Sequence, residues 1–309
     1  MRLPDYEPML AAKRPEPFDD EGWWFEVKWD GYRAVVGASD GIVRARSRRG
    51  IDLLGPFPEI GTVEIPDGVV VDGEIVAFDE EGRPSFSLLQ GRTGFGGTGT
   101  GAKVGVNLVV FDVLFHGAEV IDLPYEERRA LLERLELPPP MVVPEPTPAS
   151  GISLFGAVEA KGIEGIVAKR LDSPYEPGRR ASGWLKVKNV CEQDVVIGGW
   201  TPGEGGRGGR LGALAVGVME DGELAYAGKD GTGFTEKTLA LVQRALEPLR
   251  RADSPFEGRQ PPKGTIFVEP RLVARVELRE WTRSGTMRAP SFKGLRDDKD
   301  PQECVREAG

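Results

Sequence analysis

The sequence predicts an α+β protein in two parts: strands with a few helices over residues 1–190, then a small barrel of OB type over residues 191–309. Two observations predict this. Up to Val190, stretches that alternate apolar and polar residues, as half-buried strands do, are interrupted by amphipathic helical segments. After Val190 the texture changes to short apolar strands broken by Gly-rich turns and by one helix. The 309 residues suffice for two cores.

Residues 1–22 are Pro-rich and charged and read as irregular wrapping. Trp23–Arg33 alternates: Phe25, Val27 and Trp29 fall on one face, and Trp24, Glu26 and Lys28 on the other. Asp30-Gly31 reads as a hairpin turn into Tyr32–Ala38. Lys28, among aromatic residues and with a carboxylate two positions back, is either an ordinary surface lysine or a nucleophile. Ile42–Arg49 lines up Arg44, Arg46 and Arg48, a solvated face whose last member stands where a phosphate could be gripped. Val69–Phe78 sets Asp72 and Glu74 among Val70, Val76 and Phe78. Acids there are costly to bury unless paired or metal-bound, and a functional role is expected for them.

Ser85–Arg92 reads as a short helix. Gly94–Gly99 and Gly203–Gly208 both match G-x-G-x-x-G, but neither follows a strand and opens a helix, so a dinucleotide fold is rejected. No P-loop occurs, and Thr93–Lys103 and Gly203–Gly208 read as mobile loops. Val104–Phe115 is a long apolar strand containing Phe111-Asp112, and Glu126–Leu135 is a helix with Leu131, Leu132 and Leu135 inward. Leu137–Pro148 reads as a proline-rich surface link, followed by a helix over Ile152–Lys161 with Ser150 as its cap. Glu164 leads an apolar strand to Lys169. Trp184–Lys188 puts Lys186 and Lys188 on one face, either to grip an anion or to protect a sheet edge. Beyond Val190, strands are expected at Asp194–Gly199, Gly212–Val218, Leu224–Gly228 and Ile266–Arg279, with a helix at Glu236–Leu249 and a cation-dense tail over Arg288–Lys299.

Composition narrows the function. Hydrophobic residues make up 39% and charged ones 29%, as in soluble globular proteins. No apolar run reaches membrane-spanning length and no signal peptide is evident, so a cytoplasmic location and no membrane partner are expected. Cys191, Cys304 and His116 are too few for a zinc cluster or a disulfide framework, and His116 reads as structural. Net charge is −9. Residues 1–190 carry 22 basic and 30 acidic side chains, and residues 191–309 carry 18 and 19, so a nucleic-acid face would have to be a local patch. A candidate nucleophilic lysine, cations for phosphates and acids for a hard ion together fit phosphoryl or nucleotidyl transfer.

At this point a resemblance emerges. Lys28-Trp29-Asp30-Gly31-Tyr32-Arg33 is similar to the K-x-D-G-x-R signature of covalent nucleotidyltransferases. Ser47-Arg48-Arg49-Gly50, Asp72-Gly73-Glu74, Phe111-Asp112, Glu164-Gly165, Lys186-Val187-Lys188 and Arg288 through Lys299 follow in order. The set resembles ATP-dependent DNA ligases, most of all the bacterial ligase module of non-homologous end joining, over nearly the whole chain. The resemblance implies a nucleotidyltransferase (adenylation) domain of antiparallel sheets flanked by helices, followed by a C-terminal OB-fold β-barrel. It further implies a stand-alone minimal ligase, without a DNA-binding, polymerase or phosphoesterase module.

By the same resemblance, Lys28 attacks the α-phosphorus of ATP, AMP passes to the 5′-phosphate of a nick, and the 3′-hydroxyl displaces AMP. Lys186 and Lys188 assist as catalytic residues. The resemblance assigns Glu26 to the adenine amino group, Phe111 and Val167 to the faces of the base, and Glu74 and Glu164 to ribose or metal. Arg33, Arg48, Lys186 and Lys188 would hold phosphates. Arg288, Asp298 and Lys299 would close over pyrophosphate, with Asn189–Asp194 as the hinge of a swinging second domain. Asp30 would position Lys28 or the metal, which is Mg²⁺ or Mn²⁺. The expected partners are nicked or broken duplex DNA and a Ku-like end-binding protein, the chain acting as a nucleoid-associated monomer. Two rivals remain: an RNA ligase or capping-type guanylyltransferase, and a non-catalytic nucleotide- or DNA-binding module.

Overall fold

The computed structural model describes residues 3–89, 92, 104–189, 191–203, 209–282 and 284–306. Thr93–Lys103, and Glu204–Gly208 within the second Gly-rich stretch, lie outside the described residues. The chain divides into two compact units, the first built from Met1–Leu89 and Ala102–Asn189, the second holding the residues after Asn189.

The first unit runs through strands β1 (Leu10–Lys13), β2 (Asp19–Val27), β3 (Tyr32–Ser39), β4 (Ile42–Ser47) and β5 (Val69–Val76), then helix α1 (Phe86–Leu89). It continues with β6 (Asn107–His116), α2 (Tyr125–Glu133), β7 (Met141–Val142), β8 (Thr147–Ser150), α3 (Gly151–Ala160), β9 (Gly165–Arg170) and β10 (Arg180–Lys188). Two five-stranded sheets result, ordered β1-β10-β9-β2-β8 and β4-β3-β5-β6-β7. Every pairing is antiparallel except β1 with β10 and β6 with β7.

This order corrects the expected hairpin. β2 and β3 belong to different sheets, and Asp30-Gly31 is the crossing between them. The crossing needs glycine because a Cβ on Gly31 would stand 2.1 Å from the Ile75 carbonyl oxygen. The lead-in is not wholly irregular either, since β1 and the start of β2 lie within it. The proline-rich link likewise contributes β7 and part of β8, at sheet edges where proline's missing N–H costs no ladder bond. Ser150 makes no capping bond to α3. Instead Asp19, at the start of β2, accepts from the Ile152 N–H at 2.9 Å.

Alternation decides what each sheet buries. Phe25, Ile166, Ala168 and Val187 pack with Val158 of α3 on one face of the first sheet. Tyr32, Val36, Val71, Ile75, Leu108 and Val110 pack with Phe57, Phe86 and Leu132 on the outer face of the second. Between the sheets, Val35, Val70 and Phe111 meet Met9, Tyr175 and Trp184. Asp112 and Arg128, both fully buried, form a two-pronged pair at 2.9 Å under α2.

The second unit holds β11 (Cys191–Pro202), β12 (Leu211–Glu220), β13 (Glu223–Asp230), α4 (Glu236–Leu246), β14 (Ile266–Leu278), β15 (Glu280–Trp281), β16 (Met287–Arg288) and β17 (Ser291–Arg296). Five strands form an antiparallel sheet ordered β13-β12-β11-β14-β17. Thr235 and Thr238 cap α4 reciprocally, and Leu239, Val242 and Leu246 turn toward the sheet. The expected barrel is not closed by a continuous ladder. Among the described residues, a bond of 3.0 Å from the Phe292 N–H to the Thr232 carbonyl spans the gap between β13 and β17.

Asp230, at the end of β13, is buried beside that gap, and its Oδ2 finds no hydrogen-bond partner among the described residues. Burial pushes its carboxyl up to about 6, against backbone N–H groups of Thr232 and Phe292 that pull it down. The folded state therefore binds this proton more tightly than the unfolded chain, and stability falls as pH rises from about 4 to 6. Asp230→Asn should stabilise the protein above pH 6.5 by up to about 2 kcal/mol and gain little at pH 4. Urea melts at both pH values check this; an equal gain at both would remove the titration from the explanation.

Candidate active site

The chemistry collects on the inner face of the first sheet. Glu26 of β2 stands opposite Val167 of β9, which stands opposite Lys186 of β10, and Trp24, Lys169 and Trp184 form the neighbouring row. Residues directly opposite one another in a ladder share a face, so these side chains line one surface. Lys28 follows the end of β2, where its N–H donates to the Gly165 carbonyl at 2.9 Å. Gly165 is itself fixed by close approach, since a Cβ there would lie 2.1 Å from the Val187 carbonyl oxygen.

At this end Glu164 gathers two cations. The Lys28 ammonium lies 2.5 Å from Glu164 Oε2, and Lys188 Nζ lies 3.9 Å from Oε1. Glu164 is buried and Lys28 keeps partial exposure, so the amine stays open to a ligand on this face, the candidate cleft. The edge-protection reading does not apply to Lys186, because β10 is flanked there by β1 and β9.

The facing sheet supplies Arg33, Glu74 and Phe111. Asp72 takes two nitrogens of Arg33 at 2.6 Å each and the Tyr175 hydroxyl at 2.6 Å. Asp72 is thus a satisfied structural partner rather than a ligand-binding acid. Despite burial, its charge and bonds push the Arg33 guanidinium further up, so Arg33 stays charged. The Arg33 guanidinium stacks 4.7 Å from the Phe111 ring centroid, so much of its binding capacity is spent within the protein. Glu74 stands opposite Arg33 on β5 and is half-buried. Arg48 follows β4 in a turn and is half-buried.

The three acids assigned to metal are not gathered into one cluster. Among the described residues, no three His, Cys, Asp or Glu side chains converge on one cation. Asp30 accepts from the Phe86 N–H at 3.2 Å, anchoring the start of α1, while Glu164 is held by the lysines. Mg²⁺ in phosphoryl-transfer sites uses one or two carboxylates and fills its shell with water and substrate phosphates. A single carboxylate such as Glu164 would meet that demand.

In the second unit, Arg288 is exposed on β16. Asp298 is buried and paired through both oxygens with Arg296, at 2.7 and 2.6 Å. Burial pushes its carboxyl up, but Arg296 and Lys299 outweigh that and hold it below the usual carboxylate range. Lys299 lies 3.5 Å from Asp194. The expected hinge at Asn189–Asp194 overlaps the first residues of β11, which begins at Cys191. Sequence reasoning missed Lys169 and Tyr125, which hold Glu26 from behind. The same-face spacing of Lys169 from Val167 was the available signal.

Two facing, mostly antiparallel sheets with a lysine and its acid at their seam, followed in the chain by a small OB-type unit, form the architecture of the covalent nucleotidyltransferases. Comparison with known proteins narrows that class. Residues 8–188 match the ATP dependent DNA ligase domain and residues 207–299 match the ATP dependent DNA ligase C terminal region. The chain belongs to the ATP-dependent DNA ligases.

Its relatives include the multifunctional non-homologous end joining protein LigD of Mycobacterium bovis, 43% identical over 92% of this chain and 37% of that protein. The SPbeta prophage-derived DNA ligase-like protein LigB of Bacillus subtilis is 31% identical over 94% of this chain and 98% of its own length. A solved structure of mycobacterial DNA ligase D complexed with ATP and MES is 39% identical, covers 98% of both chains and superposes with a TM-score of 0.72. The chain thus spans well under half of the LigD relative and nearly all of LigB. No helix among the described residues is long and apolar enough to cross a membrane.

Proposed function

We propose that this chain seals breaks bearing a 5′-phosphate and a 3′-hydroxyl in duplex DNA, carrying AMP from ATP on the Lys28 amine. The observation that carries this reading is the Lys28–Glu164–Lys188 cluster. Attack needs a neutral amine, and Glu164 Oε2 is the group placed to receive the Lys28 proton. The Lys28 nitrogen then bonds the α-phosphorus while pyrophosphate leaves. A 5′-phosphate oxygen of the nick next displaces the lysine from AMP, and attack by the 3′-hydroxyl on that 5′-phosphorus finally expels AMP. Lys186, Lys188 and Arg48 hold phosphate charge along this path, with Arg33 supporting Phe111 against the base. Arg288, Asp298 and Lys299 belong to the first step, over the departing pyrophosphate. Glu164 would hold a Mg²⁺ or Mn²⁺ ion, with Glu74 toward the ribose, and the ion would supply charge neutralisation on the phosphates.

In this scheme residues on both sides of the domain boundary near Val190 serve the nucleotide-charging step. The cellular role is break repair in the cytoplasm, at the nucleoid, with a Ku-like protein as recruiting partner and the chain acting as a monomer. The relationship to the non-homologous end joining protein LigD supports the break-repair part of this reading.

Sealing of one nicked duplex with ATP, GTP and NAD side by side tests the reading. ATP alone should support joining; joining driven by GTP, or by none of the three, would overturn it. Lys186→Ala should slow sealing roughly ten- to a hundredfold, with partial recovery in Lys186→Arg. An unimpaired Lys186→Ala enzyme would relieve that lysine of its phosphate role.

A further inference from the structure

Behind the cleft lies a buried polar set that the scheme above leaves without a task. Glu26 reaches between two donors. The Tyr125 hydroxyl, from the start of α2, donates to Glu26 Oε1, and the Lys169 ammonium of β9 lies 2.9 Å from Oε2. The same ammonium donates to the Phe111 carbonyl at 2.9 Å. It also sits 4.4 to 4.8 Å from the ring centroids of Trp184, Phe111 and Tyr125. Lys169 is 1% exposed and Tyr125 is 0% exposed, so neither can touch a nucleotide in the cleft; Glu26 keeps 6%.

A charge this deep is costly, and a thioether of similar length would fill the space without it. The arrangement has a use beyond packing. Burial pulls the Lys169 ammonium down, opposed by Glu26 and Asp112, while burial and Glu26 push the Tyr125 hydroxyl up, so that hydroxyl remains a donor. With one donor fixed on each oxygen, Glu26 is left as an acceptor toward the cleft. Lys169 also ties this acceptor to the backbone of Phe111, the residue assigned to the face of the base.

We infer that Tyr125 and Lys169 are positioning residues for base selection. They hold Glu26 as an acceptor-only edge at a set distance from Phe111, so the site favours a purine with an amino group at C6 over one with a carbonyl or a hydrogen there. This rests on the nucleotidyl-transfer reading, with Glu26 at the edge of the base.

The test compares α-labelled ATP with α-labelled purine riboside triphosphate, which lacks the 6-amino group, as donors of label to the protein. The wild-type protein should prefer ATP by roughly ten- to a hundredfold, the worth of a hydrogen bond to a charged group. In Tyr125→Phe and Lys169→Met that ratio should fall toward one, chiefly through the KM for ATP, while purine riboside triphosphate is used about as well as before. Lys169→Arg should restore part of the preference.

Tyr125→Phe removes only a hydroxyl, so the experiment survives a Lys169→Met protein that does not fold. An unchanged ratio in Tyr125→Phe and in folded Lys169→Met overturns the inference. Equal loss with both nucleotides also overturns it and leaves these residues a purely structural role. A wild-type protein labelled by neither nucleotide sinks the nucleotidyl-transfer reading itself, and a wild-type protein labelled equally by both removes Glu26 from the edge of the base.

Discussion

A Lys28→Ala chain takes up no label from α-labelled ATP, and its sealing of a nicked duplex falls by roughly three orders of magnitude or more. The expectation follows from placement: Lys28 is partly exposed, with a carboxylate at 2.5 Å to take its proton. Lys28→Arg should be equally unable to form the adduct, although it keeps the charge and can still pair with Glu164, because a guanidinium does not give up its proton at neutral pH. The control is a nick already carrying AMP on its 5′-phosphate. Only the last displacement remains there, so Lys28→Ala should still join it. Label retained by Lys28→Ala would move the nucleophile elsewhere; failure on the pre-activated nick as well would mean the variant is damaged more broadly.

Asp112→Ala should be the most destabilising of the single changes considered. Asp112 and Arg128 are both fully buried, and Arg128 also donates to the carbonyls of Leu123 and Ser173, at 2.5 and 3.0 Å. Removing the carboxylate strands a guanidinium whose remaining partners are neutral, which costs about 3–5 kcal/mol. For a unit of this size that lowers the melting temperature by on the order of 10 °C. The double change Asp112→Leu with Arg128→Met removes both charges and should recover much of the loss, because a buried pair contributes little net over apolar replacements. Calorimetry on the three proteins decides it. If Asp112→Ala melts within a degree or two of wild type, water must reach Arg128 and the dry-pair description fails.

The sequence carried the chemistry further than the topology. Alternation placed Glu26 and Lys28 on one face and Lys186 and Lys188 on another strand of the same kind, and the structure joins them through Val167. Alternation says nothing about which strand is the neighbour. Asp30-Gly31 therefore looked like a hairpin turn, when the demand on Gly31 is the passing Ile75 carbonyl. Asp72 looked functional because its partners, Arg33 and Tyr175, lie far along the chain. Lys169 was hidden for the opposite reason: a lysine at the end of a strand normally reaches solvent, and the three rings and Glu26 that keep this one inside come from four other segments. The edges formed by β7 and β8 were masked by prolines, which forbid central strands but not peripheral ones.

The parallel pairing of β1 with β10 has a practical corollary. Ala12 and Lys13 lie alongside Leu185 and Lys186, and the next residue, Arg14, donates its N–H to the Lys186 carbonyl at 3.0 Å. Trimming the protein back past Lys13 would strip the cover from β10 and turn an interior strand into a raw border with unpaired backbone groups, inviting self-association. Shortened versions prepared for crystals or assays should thus lose solubility first, and any fall in joining would be a by-product of clumping.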